Sequence, residues 1–326
     1  MCCDHGDREL IDWLLDSDPA LRWQVERDVL GAPEEVWSAT RARVATEGFG
    51  ARLLALQDPD GQWAGGAFFP RNFKFEQMPV EGQPWTATTW SLNALREWGV
   101  DPSALGDTAQ RLASNSRWEY DNLPYWGGEV DACVNAWTLA NGVWLGADVE
   151  GLATWFVEHR LADGGWNCEW VEGATGSSFH STLNSLKGLL AYEAATGGTA
   201  DTRAARRAGE EYLLARRLMR RLSTGELVAP WVTHFAFPFR WSFSVLNAAD
   251  YFRAAALLGG TPPDPRMAEA MEAIRAQRQP DGTWLQAGRH PGRVWFEIDV
   301  PAGEPSKWLT LSGMSVLAWW DASGRP

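Results

Sequence analysis

The stretch GGEVDACVNAW, residues 127–137, places a carboxylate and a thiol two positions apart, at Asp131 and Cys133. Glycines followed by an aspartate are typical of a helix start, and we predict that Asp131 is the N-cap residue. Cys133 then lies in the first turn. The partial positive charge of a helix N-terminus favours both the carboxylate and the thiolate, so these residue types suit this position.

A third residue with ligand chemistry, His180, opens a later helical segment that Ser177 or Ser178 is placed to cap. A carboxylate, a thiolate and an imidazole are zinc ligands, and three protein ligands leave a fourth position open for catalysis. We therefore predict a zinc site and a catalytic site at Asp131, Cys133 and His180. The alternative is an aspartate cap, a buried cysteine and a hydrogen-bonded histidine without a metal.

The remaining cysteines are interpreted as free thiols. Cys168 lies in the loop leading to His180 and is expected to be a packed thiol, with an extra ligand as the alternative. Cys2 and Cys3 belong to the segment CCDH, which is expected to lie in a mobile terminus, residues 1–6. No CxxC spacing occurs, so no disulfide framework is predicted for a reducing compartment.

Turns that end in tryptophan repeat along the chain. Three copies are LLALQDPDGQW (53–63), FVEHRLADGGW (156–166) and IRAQRQPDGTW (274–284), and weaker ones are NLPYWGG (122–128) and TGELVAPW (224–231). The Asp-Gly pair of each strong copy predicts a tight turn in which the glycine takes a positive φ. A repeated turn of this kind predicts a repeated pair of helices.

The segments between the turns alternate in character. Five are apolar on nearly all sides and are predicted to be buried inner helices: 85–99, 130–146, 179–197, 243–259 and 307–320. Four charged, amphipathic segments are predicted to be outer helices: 101–114, 149–160, 202–222 and 265–278. With 20–31 and 34–57 as a first pair, this pattern predicts an all-α fold. We expect an α6/α6 toroid around an aromatic-lined cavity, as a single domain over residues 1–326.

In such a ring the inner helices begin at one mouth of the cavity. The side chains predicted to bind substrate there are Trp85, Trp90, Trp137, Phe179, Arg240, Trp241, Lys307 and Trp308. The chain contains 21 tryptophans, which favours an aromatic-lined cavity, and a tryptophan-rich core is the alternative.

Composition narrows the class of partner. A net charge of −13 argues against nucleic acid, because phosphate binding needs a basic surface. The basic stretch RLMRRL, 217–222, is interpreted as the solvated face of an outer helix. No run of 18 apolar residues appears, and the acidic start is unlike a secretion signal, so no transmembrane segment is expected and the cytoplasm is the expected location.

The turns ending in Gly-x-Trp resemble the QW repeats of the squalene cyclase and protein prenyltransferase β-subunit superfamily. VDACVNAW (130–137) resembles the zinc-binding segment of the prenyltransferases, and FHSTLNSLKGL (179–189) resembles their later segment with the histidine ligand. This resemblance implies a toroid, zinc and a hydrophobic, isoprenoid-type substrate. GGEVD also resembles a different repeat of those subunits, and that alignment implies that His180 contacts an anion.

Departures from the family pattern keep several functions open. Tyr125, Gly128 and Val134 stand where prenyltransferases hold their diphosphate clamp, and the cyclase motif DxDD does not occur. The leading expectation is a prenyltransferase-like or terpene cyclase-like enzyme with zinc. The alternatives are a metal-free terpene cyclase with Asp131 as general acid, and a toroid that binds an apolar ligand without catalysis. A sugar-processing enzyme would need paired carboxylates, for which Glu129 and Asp131 are the candidates.

Overall fold

The chain is all-α in a computed structural model, which describes residues 5–323. Its helices are α1 (His5–Leu15), α2 (Pro19–Asp28), α3 (Glu34–Ala42), α4 (Gly48–Leu54), α5 (Met78–Glu81), α6 (Thr88–Glu97), α7 (Thr108–Asn115), α8 (Ala132–Leu145), α9 (Glu150–Glu158), α10 (Phe179–Thr196), α11 (Ala200–Ala215), α12 (Val245–Gly259), α13 (Ala268–Arg275) and α14 (Lys307–Ala322). Strands β1 (Trp284–Leu285) and β2 (Pro305–Ser306) pair antiparallel. Within residues 5–323, no helix has the length and apolar character needed to cross a membrane. Cys2 and Cys3 lie outside the described residues.

The five segments predicted to be buried inner helices contain the largely buried helices α6, α8, α10, α12 and α14, and their inner position in a ring stays a prediction. Three of them are capped by serine: the hydroxyls of Ser178, Ser244 and Ser306 each accept the backbone N–H three residues later. Helices α8 and α10 end on left-handed glycines, Gly146 and Gly197. The caps explain why short polar side chains stand at the start of otherwise apolar segments.

The outer helices are shorter than predicted. The segment 101–114 contains a 3₁₀ turn, Pro102–Leu105, before α7, and α11 ends at Ala215 although a helix was predicted to 222. Arg217 and Leu218 have φ values of 48° and 61°, which no right-handed helix can include. The interpretation of RLMRRL as a helix face is therefore wrong, because this stretch follows the helix.

Contacts divide the described residues into two compact units. Unit 1 comprises those within Met1–Arg43, Glu211–Arg289 and Ile298–Pro326, and unit 2 those within Val44–Glu210 and His290–Glu297. In unit 2, α8 and α10 approach closely, since a Cβ at Gly188 would stand 2.7 Å from the Ala136 carbonyl oxygen. The toroid and the single domain stay predictions.

The tryptophan turns share one set of hydrogen bonds, which we call the tryptophan tie. In each strong copy the indole N–H donates to the backbone carbonyl ten residues earlier, at 2.9 Å for Trp63 and at 3.0 Å for Trp166 and Trp284. The tryptophan backbone N–H donates to a threonine hydroxyl of an inner helix, namely Thr88, Thr182 and Thr310. The predicted positive φ is confirmed at Gly61, Gly164 and Gly282. The tie therefore joins the end of an outer helix to the start of an inner one.

Candidate functional site

The site begins in the segment before α8, where Asn135 holds the chain in a fixed path. The Asn135 side chain accepts the Glu129 backbone N–H at 2.8 Å and donates to the Glu129 carbonyl at 2.7 Å. Gly128 has a φ of 73°, and a Cβ there would stand 2.3 Å from Asn135 Oδ1. Only glycine fits this position, which explains the second glycine of the GG pair. Asp131 occupies the N-cap position, as predicted, in an extended conformation, although its side chain accepts no capping hydrogen bond.

Two carboxyls of this segment are half-buried and close in sequence. Burial raises the pKa of Glu129 to about 7, and the neighbouring charge of Asp131 adds to the rise. Burial also raises the pKa of Asp131, with a further contribution from the charge of Glu172. Near neutral pH, Glu129 is therefore present in both protonated and ionised forms. Such a carboxyl can donate a proton and regain it, as a general acid must.

Cys133 contacts Cys168, the loop cysteine that is predicted to be a packed thiol, with an extra ligand as the alternative. Their Sγ atoms are 3.4 Å apart, and both cysteines are free. The Cys133 backbone N–H points at Cys168 Sγ at 3.4 Å, and the Ser181 hydroxyl donates to the same sulfur at 3.3 Å. Asn184 Nδ2 donates to Cys133 Sγ at 3.4 Å. Residues from α8, α10 and the loop before α10 thus surround one pair of sulfur atoms.

The pKa values of the two thiols are shifted in opposite directions. The hydrogen bond from Cys133 lowers the pKa of Cys168, because it stabilises the thiolate there. The same contact, together with burial, raises the pKa of Cys133 well above its usual value. Cys168 is therefore the more acidic thiol of the pair.

The predicted zinc ligands do not form a metal site in this structure. Within residues 5–323, no group of three or more His, Cys, Asp and Glu side chains is arranged to hold a metal ion. The sulfur of Cys133 is buried between Cys168 and Asn184 instead. His180 lies in the first turn of α10, after the predicted Ser178 cap. This arrangement of the three side chains does not match a zinc site. Zinc binding at Asp131, Cys133 and His180 stays a prediction, and no reaction step is assigned to a metal ion.

Aromatic side chains of unit 2 form a cluster that includes three predicted substrate-binding residues. The centroid of the Trp90 ring lies 4.7 Å from the centroid of the Trp85 ring and 4.7 Å from that of the Trp137 ring. Phe68, which the sequence did not single out, lies 4.9 Å from Trp90 and stacks on Trp137 at 6.2 Å. The three indoles are 2–7% exposed, so they cover one another in this structure. Phe179 is also buried, at the start of α10.

A carboxylate distant in sequence holds Phe68 in place. Glu119 Oε1 accepts the backbone N–H groups of Ala67, Phe68 and Phe69, each at 3.1 Å. Three donors on one oxygen fix the backbone that carries the ring. No local sequence signal links residues about fifty positions apart, and sequence analysis missed this contact.

The other predicted substrate-binding residues belong to unit 1. Trp308 stacks on Phe237 at 4.6 Å, with the two rings inclined by 9°. Lys307 donates to the Asp16 carbonyl, and its Nζ lies 5.2 Å from the centroid of the Trp13 ring. Arg240 and Trp241 are half-buried in the segment before α12. Their role as substrate contacts stays a prediction.

Unit 1 contains one further carboxyl of altered acidity, Asp299. Burial raises its pKa to about 6. Gln286 Nε2 donates to its Oδ2 at 2.7 Å, and the Ser306 hydroxyl donates to the same oxygen at 2.8 Å. In the sequence Asp299 lies in EID, 297–299, which is only a fragment of the DxDD motif, and its burial is visible only in the structure.

Comparison with known proteins gives distant structural similarity only. No protein-family model matches the chain, and no curated protein matches it. A protein of known structure from Actinoplanes aligns over 98% of this chain and 99% of its own, with 16% identity and a TM-score of 0.46. A ligand-free type II terpene cyclase from Scytonema aligns over 88% of this chain and 97% of its own, with 14% identity and a TM-score of 0.38. Because both TM-scores are below 0.5, neither similarity assigns a function to this chain.

Proposed function

We propose that the chain is a terpene cyclase-like enzyme that transfers a proton from Glu129 to a hydrophobic, isoprenoid-type substrate. The arrangement that carries the proposal is the pair of half-buried carboxyls, Glu129 and Asp131, at the start of α8, where burial and the charge of Asp131 raise the pKa of Glu129 to about 7. A general acid works best when its pKa lies near the working pH, because it then holds the proton and still releases it. Burial is the larger cause of the raised pKa of Glu129, and the charge of Asp131 adds to it.

The aromatic cluster supports the second half of such a reaction. Protonation of an alkene produces a carbocation, and aromatic faces attract cations within about 6 Å. Trp137 belongs to α8 itself, within two turns of the Asp131 cap, and contacts Trp90 and Phe68.

The proposal is tested by incubating the purified protein with an acyclic polyprene and, separately, with an isoprenyl diphosphate. Products are analysed by gas chromatography and mass spectrometry. We expect a cyclic product, and a loss of about 100-fold or more in its rate for Glu129→Gln, because glutamine cannot donate the proton. Glu150→Gln, at an exposed carboxyl in the first turn of α9, is the matched control and should keep the wild-type rate.

A second variant tests the role of Asp131. Asp131→Asn removes a negative charge beside Glu129, so the pKa of Glu129 should fall and the acid-dependent limb of the rate profile should move to lower pH. The proposal is wrong if no substrate turns over, or if Asp299→Asn abolishes the rate while Glu129→Gln does not. Binding of the polyprene without turnover would instead favour an apolar-ligand carrier. Metal analysis of the wild type and of Cys133→Ala tests the zinc prediction separately.

A further inference from the structure

The sulfur pair in unit 2 has a geometry that neither the proton transfer nor packing requires. The Cys133 and Cys168 Sγ atoms are 3.4 Å apart, and a disulfide bond measures about 2.05 Å, so the atoms need to approach by only about 1.4 Å. The two residues are separated by 35 positions in sequence. A small local movement would therefore create a link between distant parts of the chain.

Polar groups from two helices hold both sulfur atoms in this position. Cys168 Sγ lies 3.4 Å from the Cys133 backbone nitrogen and 3.3 Å from the Ser181 hydroxyl. Ser181 also accepts the Cys168 backbone N–H at 3.1 Å, which fixes the start of the 3₁₀ turn Cys168–Glu172. Asn184 holds Cys133 Sγ from the opposite helix. Thiols that only filled a core would need none of these donors.

The two thiols differ in access. Cys133 is 8% exposed, whereas Cys168 is half-buried in a surface turn. A small oxidant can therefore reach Cys168 first, and Cys133 lies behind it within contact distance. This order is the one that a pair of attacking and resolving cysteines requires.

We propose that Cys133 and Cys168 form a redox-active dithiol that a low-molecular-weight disulfide converts to an intramolecular disulfide. In the first step the Cys168 sulfur attacks one sulfur of the small disulfide, RSSR, which forms a mixed disulfide at Cys168 and releases one RSH. In the second step the Cys133 sulfur attacks the Cys168 sulfur and releases the second RSH. The protein loses two hydrogen atoms in total, and RSSR gains them as two RSH. The inference does not depend on the proposed proton transfer.

The test uses the full chain with Cys2→Ser and Cys3→Ser, so that the pair supplies the only thiols. The protein is reduced, desalted, equilibrated with oxidised and reduced glutathione, blocked with N-ethylmaleimide and digested with trypsin. Cleavage after arginine and lysine places Cys133 in the peptide 118–160 and Cys168 in the peptide 161–187. We expect these two peptides to be linked after oxidation, with a mass lower by two hydrogens, and to separate after reduction.

Two further variants test the order of attack. Cys133→Ser should stop the reaction at a glutathione adduct on Cys168, because no resolving thiol is present. In Cys168→Ser, Cys133 should react with glutathione disulfide at least 10-fold more slowly than Cys168 does in the other variant. Circular dichroism checks that each variant folds. If one of the two variants does not fold, the result for the protein with both cysteines decides the proposal. Recovery of both cysteines as thiols, or as two separate glutathione adducts, would overturn it.

Discussion

The tryptophan tie at Trp166 can be broken by one substitution that preserves shape. Thr182 is fully buried, and its hydroxyl accepts the Trp166 backbone N–H at 3.1 Å and lies 3.3 Å from the Trp166 carbonyl oxygen. Valine has the same size without the hydroxyl, so Thr182→Val leaves a buried N–H without an acceptor. Such a group costs about 1–3 kcal/mol. We expect the free energy of unfolding to fall by about 2 kcal/mol, roughly a 30-fold change in the folding equilibrium.

A matched control separates the tie from the general effect of replacing a buried threonine. Thr138 of α8 is also fully buried, and its hydroxyl donates to the Val134 carbonyl at 2.8 Å. That carbonyl keeps its helical N–H partner after Thr138→Val, because the i to i−4 bond of the helix remains. The control should therefore cost less than about 1 kcal/mol.

The assay is urea denaturation, followed by tryptophan fluorescence and by circular dichroism at the same protein concentration. Both probes are needed because a chain with two compact units can unfold in more than one step. Thr88→Val and Thr310→Val should give losses similar to that of Thr182→Val, since their hydroxyls accept the corresponding N–H groups at 3.1 and 3.0 Å. If Thr182→Val costs no more than Thr138→Val, the tie does not stabilise the fold.

Three other predictions concern single side chains. The pKa of Asp299, about 6, exceeds the value of about 3.9 expected in the unfolded chain, so the folded state binds more protons between about pH 4 and 6. The contribution of Asp299 to the free energy of unfolding should therefore fall by up to about 3 kcal/mol as pH rises through that window, and Asp299→Asn should remove this contribution from the slope measured in urea titrations at several pH values; an unchanged slope contradicts it. Gly188→Ala places a methyl group 2.7 Å from the Ala136 carbonyl oxygen and should lower the free energy of unfolding by about 1–3 kcal/mol in the same assay. A stability equal to that of the wild type would show that α8 and α10 can move apart freely. Glu119→Gln removes the anionic acceptor of three N–H groups, so hydrogen exchange at residues 67–69 should accelerate by about 10-fold; unchanged protection would show that the carboxylate does not hold this segment.

The sequence predicts those parts of the fold that depend on neighbouring residues. The bounds of the inner helices follow from apolar runs bracketed by caps, as for α10 between Ser178 and Gly197. The positive φ of Gly61, Gly164 and Gly282 follows from the Asp-Gly turns. The N-cap position of Asp131 follows from the glycines and the aspartate that precede α8.

Features that depend on distant residues or on unusual backbone conformations were not predictable in this way. Arg217 and Leu218 adopt positive φ although neither residue type favours it, so the end of α11 has no sequence signal. Cys168 meets Cys133 across 35 positions because the loop before α10 folds back onto α8. Apolar periodicity predicts helices and contains no information on the path of such a loop. The pKa of Glu129 likewise depends on burial, which residue type alone does not determine.

The tryptophan tie has a consequence for how such a chain can change over generations. Its acceptors at Leu53, Phe156 and Ile274 are backbone carbonyls, and every amino acid supplies one. Substitutions there leave the bond intact, provided that the replacement still packs. We expect sequences that diverge from this chain to change widely along the outer helices while they keep the tryptophan and the threonine of each tie. Two such sequences with little residue identity would still join their helices in the same way.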